Sequence, residues 1–227
     1  MNSKTKRLTT TGVLIALSAI LAFIKVYELP YGGSITLAGM VPIIILGYKY
    51  GVKWGLFSGF VYSIIEAILG ATTSQAFAGM YDPEHAAKSV INIVLMAFLD
   101  YIVAFTVLGL SGMFKGKIKN DTAAITVGGA VAVLLRLLAH FFSGFILWGS
   151  YAEWFFTDVM NNSFGKSILA NFSGSALAAI YSIVYNASYM LPNLAVTVVA
   201  ILALMSVKPL RKYIVEDDSG SARFTRH

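Results

Sequence analysis

Polar and ionisable side chains lie inside apolar segments in the second half of the chain. These residues are Asp100, Tyr101, Arg136, His140, Trp148, Tyr181 and Asn186. Ionisable groups are expensive in hydrocarbon, so they usually face a bundle interior or a water-filled cavity. A carboxylate there can accept hydrogen bonds from an amine, and an indole face attracts a flat cation. The pattern therefore predicts a membrane-embedded pocket for a small molecule that is both polar and aromatic.

The composition identifies the class of protein that holds this pocket. The chain has 227 residues, of which 57% are hydrophobic and 12% are charged, and its mean hydropathy is +0.74. Soluble domains carry about 25% charged residues, so the chain is predicted to be an integral membrane protein. It has no cysteine, which excludes disulfides, thiolate metal sites and cysteine nucleophiles. The net charge of +6 is spread over loops and termini, which indicates membrane topology rather than nucleic-acid binding.

Six segments are long and apolar enough, or nearly so, to cross a bilayer. They are 9–27, 34–49, 52–71, 88–114, 122–149 and 174–207. The second is short and contains Pro42, which is tolerated in a membrane helix when neighbours satisfy the freed carbonyl. The sixth contains Pro192 and is expected to begin as a separate short helix or to tilt strongly. The sequence thus predicts an all-α integral membrane domain over 1–215, a six-transmembrane-helix bundle, followed by a disordered cytoplasmic tail at 216–227.

The distribution of Lys and Arg predicts the orientation. With the N-terminus inside, the inner loops and termini carry thirteen Lys and Arg residues and the outer loops carry three. Cytoplasmic loops are enriched in these residues, so both termini are predicted to be cytoplasmic. The two long outer connections, 72–87 and 150–173, are either functional lids or plain connectors.

The candidate residues have alternative structural roles. One face of the fifth segment carries Arg136, His140, Gly144 and Trp148, each four residues after the last. His140 either contacts a ligand or bonds to a neighbouring helix. Trp148 either lines the pocket or anchors the helix at the membrane surface. Asp100 either meets a ligand or pairs with Arg136.

Signatures of enzymes are missing. The triplet Gly165-Lys166-Ser167 ends like a phosphate-binding loop, but Met160 stands where such a loop needs Gly. No zinc-protease or serine-hydrolase motif is present, so we expect no enzyme activity, no metal and no cofactor. Two other classes stay open as alternatives. One is a stand-alone secondary carrier, and the other is a small intramembrane enzyme with Asp100 and His140 as acid and base.

Four motifs together resemble the thiamine-specific substrate-binding subunits (S components, the ThiT type) of energy-coupling factor (ECF) transporters. They are Tyr31-Gly-Gly-Ser-Ile-Thr-Leu-Ala-Gly-Met40 leading to Pro42, Phe98-Leu-Asp-Tyr101 with Leu108-Gly-Leu-Ser-Gly112, His140-Phe-Phe-Ser-Gly144 with Trp148, and Tyr181-Ser-Ile-Val-Tyr-Asn186. The resemblance runs across nearly the whole chain. It implies the six-helix ECF S-component fold in the cell membrane, with thiamine bound near the outer surface beneath the loop between the first two helices.

The resemblance also implies which residues form the site. The pocket would be lined by Asp100, Tyr101, His140, Trp148, Tyr181 and Asn186, with Trp148 stacking on a ring of the ligand. The chain departs from the family at Asp100, where Glu is usual, and at Gly33 and Leu37, where some members have Trp and Glu. Tyr62 and Glu66 on the third helix are candidates for the missing contacts. With these departures, another small aromatic vitamin or precursor remains an alternative ligand.

Partners follow from the same resemblance. Such subunits dock through small residues of the first helix onto a shared transmembrane coupling subunit, EcfT, which two cytoplasmic ATPases drive. The matching residues here are Gly12, Ala16, Ala19 and Ala22. Small residues allow helices to pack closely in lipid. The alternative is that these residues only pack within the bundle.

Overall fold

Five helices in the computed structural model are long and apolar enough to cross a membrane, counting only the described residues, which are 3–73, 77 and 90–216. They are α1 (Ser3–Phe23), α3 (Val52–Thr73), α4 (Val90–Phe114), α5 (Asp121–Leu147) and α7 (Gly174–Ser206). Shorter elements are β1 (Lys25–Glu28), β2 (Ser34–Thr36), α2 (Val41–Tyr50), α6 (Ser163–Asn171) and α8 (Lys208–Val215). The predicted helical membrane fold is confirmed, whereas the count of six spans and the cytoplasmic termini stay predictions. The expected tail lies almost wholly outside the described residues.

The connection between α1 and α2 is a β-hairpin, which the sequence analysis did not anticipate. The helix ends at Phe23 rather than near residue 27, and β1 then pairs antiparallel with β2. Lys25 and Glu28 form an ion pair of 2.6 Å, and a short 3₁₀ turn, Pro30–Gly32, joins the strands. The predicted second segment, 34–49, begins inside this hairpin. The helix α2 is therefore shorter than predicted and has ten residues.

Pro42 stands in the first turn of α2, not in its interior. A proline there removes no helical hydrogen bond, since the first N–H groups of a helix have no partner within it. The expected freed carbonyl therefore does not arise, and α2 is almost completely buried.

The helix α4 changes its winding twice. A wide π-helical turn spans Ala97–Val103, and a tight 3₁₀ stretch spans Val107–Phe114. Such wide turns inside helices are frequent at functional sites. The turn holds Asp100 and Tyr101, so two of the predicted pocket residues lie on a locally widened helix.

The segment 150–173 is largely helical rather than an irregular loop. It contains short helical turns at Gly149–Tyr151, Ala152–Trp154 and Phe155–Val159, followed by α6. Tyr151, Phe155 and Phe156 are buried. Of the other long connection, 74–76 and 78–89 lie outside the described residues.

The last long helix, α7, is continuous for 33 residues even though Pro192 lies inside it. The expected separate short helix at its start is absent from this described stretch. Gly144 of α5 allows a close approach to α7, since a Cβ atom there would overlap the Ser182 hydroxyl and lie 3.0 Å from the Asn186 amide nitrogen. This contact fixes the distance between α5 and α7, which form one wall of the pocket.

Candidate functional site

A single cavity lies beneath the β-hairpin and between the long helices. Its lining includes Tyr31, Gly33, Tyr62, Glu66, Asp100, Tyr101, Arg136, His140, Trp148, Tyr181, Tyr185, Asn186, Tyr189 and Asn193. All eight residues predicted as substrate-binding from the sequence are in this lining. They come from α3, α4, α5 and α7, which are far apart along the chain, so only the tertiary fold brings them together.

Asp100 is held by two side chains of α5. Its Oδ1 atom is 2.9 Å from the His140 Nδ1 atom, and its Oδ2 atom accepts a 2.6 Å hydrogen bond from the Ser143 hydroxyl. His140 and Ser143 are three residues apart and face the same side of the helix. The carboxylate therefore fastens α4 to α5 at the pocket wall.

Arg136 determines the proton position on His140. Its Nε–H donates a 3.2 Å hydrogen bond to the His140 Nε2 atom. Because a guanidinium can only donate, Nε2 must be the acceptor, so the ring proton of the neutral imidazole lies on Nδ1 and is donated to Asp100. Asp100 and Arg136 thus interact through His140 rather than as a direct ion pair. The Arg136 guanidinium also lies 4.0 Å from the centre of the Phe105 ring.

Glu66 presents the second carboxylate of the pocket. Its Oε1 atom is closed off from solvent and has no hydrogen-bond partner among the described residues. Tyr62 lies one turn earlier on α3 and interacts with this carboxylate. A buried acceptor without a donor is destabilising by ~1–3 kcal/mol, which makes Glu66 different from Asp100.

The hairpin is attached to α7 through its backbone. The Tyr185 hydroxyl donates to the Pro30 carbonyl at 2.5 Å and accepts from the Gly33 N–H at 3.1 Å. The Asn193 amide donates to the Ser34 carbonyl at 2.8 Å and accepts from the Thr36 N–H at 3.1 Å. Asn193 therefore binds the backbone of β2, and Tyr185 binds the backbone of the turn that precedes it.

Tyr31 at the tip of the hairpin fits into an aromatic group on the opposite side of the cavity. Its ring centre is 6.2 Å from Trp148, 4.7 Å from Tyr151 and 5.3 Å from Trp154. Its φ angle of 63° is left-handed, which is unusual for a large side chain. The folded segment after α5 thus supplies contacts that hold this conformation. Trp148 is only 7% exposed and so is part of the pocket wall rather than a surface anchor.

Gly33 lies tightly against the tyrosines of α7. A Cβ atom at this position would lie 2.7 Å from a ring carbon of Tyr189 and 3.1 Å from the Tyr185 hydroxyl. A large side chain such as Trp cannot occupy this site without displacing the α7 tyrosines. The aromatic surface near the hairpin is supplied here by α7 instead.

The other predicted residues are placed as follows. Tyr181 packs edge-on against Phe155 at 5.4 Å between ring centres. Tyr101 lies 5.4 Å from Phe77. The Asn186 amide donates to the His140 carbonyl and accepts from the Tyr189 hydroxyl at 2.7 Å. Asn186 therefore links α5 to α7 while it lines the cavity.

The predicted docking residues of α1 are divided between two surfaces. Gly12 and Ala16 are exposed, and nothing lies within 4 Å of the Cβ position of Gly12. Ala19 and Ala22 line the cavity instead. The structure thus leaves only the first half of this seam free on the outside of the bundle.

Sequence reasoning missed Ser143, Tyr185, Tyr189 and Asn193. The last three share one face of α7 with Ser182 and Asn186, spaced by three or four residues. The spacing of polar residues by three or four positions, which identified one face of α5, would have identified these residues on α7 as well. The missing hydrogen-bond partner of the Glu66 Oε1 atom could not be found in this way, because it depends on where the donors of the neighbouring helices lie. Among the described residues, no group of His, Asp and Glu side chains is placed to hold a metal ion.

Comparisons with known proteins agree with this fold. The family model "Thiamine transporter protein (Thia_YuaJ)" matches residues 8–165. The chain is 27% identical over 214 residues to "Thiamine transporter ThiT" of Bacillus subtilis (strain 168), covering 89% of this chain and 92% of that protein. It is 25% identical over 180 residues to the protein of the same name from Lacticaseibacillus paracasei, covering 75% and 73%. The solved structure of ThiT from Listeria monocytogenes superposes with a TM-score of 0.63, at 19% identity and covering 92% of this chain and 97% of that one.

Proposed function

The chain belongs to the thiamine transporter family, and from this premise we propose that it is the thiamine-binding S component of an ATP-driven ECF importer. As a family member with five long apolar helices, it is a multi-pass protein of the plasma membrane. The proposed role is capture of thiamine in the cavity under the hairpin, followed by delivery through partner subunits.

The observation that carries the proposal is the chemistry of the cavity lining. Thiamine is a singly charged cation in which a methylene group joins two flat rings, an aminopyrimidine and a thiazolium. The cavity combines aromatic faces from Trp148 and Tyr181 with the carboxylates of Asp100 and Glu66. Aromatic faces attract cations, and carboxylates accept strong hydrogen bonds from amines. The pocket therefore offers a partner for each part of the molecule.

The hairpin supports a capture role. It covers the cavity through a few hydrogen bonds and ring contacts, chiefly from Tyr185 and Asn193, rather than through a large packed interface. In the predicted orientation it lies on the outer side. Ligand entry then requires only local release of these contacts.

Transport needs partners that supply energy. With five long helices and the short α2, the chain is small for a carrier built from repeats. We propose that EcfT and two cytoplasmic ATPases drive the movement, with six spans, cytoplasmic termini, and docking at Gly12 and Ala16. Thiamine uptake in reconstituted vesicles should then require ATP and all three partners. Uptake by the chain alone, driven by an ion gradient, would favour the secondary carrier.

Binding is tested with tryptophan fluorescence on the purified chain in detergent. Of the three tryptophans, Trp148 lines the cavity and Trp154 lies near Tyr31, whereas Trp54 stacks at 3.6 Å on the Arg7 guanidinium at the other end of the bundle. Thiamine should quench the signal saturably in wild type and in Trp54→Phe, and most of the quenching should disappear in Trp148→Phe. Calorimetry should show that Trp148→Ala weakens binding by ~1–2 kcal/mol.

Three results are distinguishable. Quenching by another vitamin but not by thiamine would keep the class of protein and change the ligand. Quenching that persists in Trp148→Phe and disappears in Trp54→Phe would place the ligand elsewhere. No binding across a panel of vitamins would contradict the proposal.

A further inference from the structure

The two carboxylates of the cavity differ in their bonding, and this difference determines which of them is available to a ligand. Both oxygens of Asp100 accept hydrogen bonds from α5, one with His140 at 2.9 Å and one from Ser143 at 2.6 Å. His140 is fixed in turn by Arg136. Each Asp100 oxygen therefore already accepts one hydrogen bond within the protein, whereas the Glu66 Oε1 atom accepts none among the described residues.

Glu66 has the opposite character. It lines the same cavity, and its Oε1 atom is buried with no hydrogen-bond partner among the described residues. A buried acceptor in a folded protein nearly always has a donor. An oxygen of this kind at a cavity wall is therefore open to a donor that a bound ligand brings.

The nearby cation does not satisfy this oxygen. The Arg136 Nε–H is donated to His140, and the guanidinium lies over the Phe105 ring. Within the described ranges, no ion pair joins Arg136 to Glu66. Lys25 of the hairpin also lines the cavity, and it is paired with Glu28 at 2.6 Å.

The chemistry of the missing donor can be specified. The quaternary ring nitrogen of thiamine carries no hydrogen, so it cannot satisfy an orphan acceptor. The exocyclic amine of the pyrimidine has two N–H groups. Hydrogen bonds from an amine to a carboxylate are short and strong, and they fit a buried, acceptor-only oxygen.

We propose that Glu66 is the residue of this chain that recognises the exocyclic amine of the ligand, and that Asp100 is a positioning residue that acts through His140. The proposal rests on the proposed function and deepens it. Glu66 then determines specificity for aminopyrimidines, while Asp100 keeps α4, α5 and the His140 tautomer in place.

The test compares thiamine with its analogue in which hydrogen replaces the exocyclic amine, using calorimetry on the full chain in detergent. Wild type should bind thiamine at least about tenfold more tightly than the analogue, as expected for a charge-assisted hydrogen bond. In Glu66→Gln this preference should shrink toward one, chiefly through weaker thiamine binding. In Asp100→Asn both ligands should lose affinity by a similar factor. Glu153→Gln removes an exposed carboxylate from the segment after α5 and is the matched control, with wild-type preference expected.

Thermal unfolding without ligand provides a second readout. It separates the two roles, because a general loss of stability would lower the unfolding temperature of both variants. Glu66→Gln should keep or raise the unfolding temperature, because it replaces an unsatisfied buried acceptor by a neutral group. Asp100→Asn should lower the unfolding temperature, because His140 and Ser143 then lose the carboxylate that accepts from them. Opposite signs for the two variants are the expected result.

The proposal is overturned if Asp100→Asn removes the preference for the amine while Glu66→Gln keeps it. It is also overturned if Glu66→Gln lowers the unfolding temperature as much as Asp100→Asn does. These outcomes leave thiamine binding by wild type intact, so they differ from failure of the proposed function, in which wild type itself binds no thiamine.

Discussion

The two ends of the helical bundle are held together by different kinds of contact. At the pocket end, side chains meet side chains, as in the group of Asp100, His140 and Ser143. At the opposite end, which we call the glycine-packed end, Gly47, Gly55, Gly109, Gly112 and Gly128 bring backbones together. A Cβ atom on Gly109 would overlap the backbone of Gly55, and one on Gly112 would overlap the carbonyl of Gly47. Small residues allow such close approach in membranes.

The difference explains where the cavity can form. Helices that approach through glycine backbones leave little space between them. At the pocket end, large side chains such as Tyr185 and Tyr189 line the cavity between the helices. One end of the bundle is therefore suited to stability and the other to ligand capture.

The largest expected effect comes from Gly109→Ala. Its Cβ atom would collide with backbone atoms of Gly55 and Leu56, which cannot move without separating α3 from α4. We expect a loss of at least ~3 kcal/mol in the free energy of unfolding, at the upper end for overpacking. Unfolding of the purified chain in detergent measures it. Gly12→Ala, which meets nothing within 4 Å, is the control and should be neutral or slightly stabilising. Equal stability of the two variants would show that close backbone packing does not hold this end together.

An intermediate effect is expected from Asn193→Leu at the pocket end. The variant leaves the Ser34 carbonyl and the Thr36 N–H without their partner, so the hairpin should lose ~2 kcal/mol of attachment to α7. Faster dissociation of thiamine, measured by stopped-flow fluorescence, is the expected readout, with a smaller change in global stability. Ser188 on the same helix donates a hydrogen bond to the Tyr185 carbonyl of α7 rather than to the hairpin, so Ser188→Ala should leave the rate unchanged. A stability loss as large as that of Gly109→Ala would contradict the distinction between the two ends.

The smallest effect is expected from Gly33→Ala. Its Cβ atom also meets a neighbour, but that neighbour is the side chain of Tyr189 at 2.7 Å. A ring can rotate or shift where a backbone cannot, so the expected loss of stability is only ~1 kcal/mol, at the lower end for overpacking. Thiamine affinity should fall more clearly than the unfolding temperature does. The same Gly→Ala change at positions 33 and 109 therefore compares side-chain with backbone packing directly, and a reversed order would refute the comparison.

Much of the candidate site could be predicted from the sequence because polar residues are so unfavourable in hydrocarbon that their presence marks a cavity. Asp100, Arg136 and His140 were found in this way, and the spacing of His140, Gly144 and Trp148 predicted one wall. Glu66 was a further candidate, as an ionisable residue of the third segment, and the departures from the family pattern added Tyr62. Their role as contacts to thiamine stays a prediction.

The hairpin could not be predicted by the same rule. Lys25–Glu28 and Ser34–Thr36 are short and carry no strong alternation, and their pairing depends on Asn193, which is 157 residues from Thr36. The length of α2 was overestimated for the same reason, since an apolar run does not reveal where a strand ends and a helix begins. The docking seam was also divided by the fold, because the rotation of α1 turns Ala19 and Ala22 toward the cavity.

The sequence by itself determined that this is an integral membrane protein, because a chain with 57% hydrophobic and 12% charged residues can bury its apolar surface only in a bilayer. It also determined which side chains must avoid lipid. The tertiary structure alone decided which of those side chains satisfy one another. Hydrogen bonds depend on distances of about 3 Å between helices that are remote in sequence, and so only the fold reveals that Asp100 has its partners while the Glu66 oxygen has none.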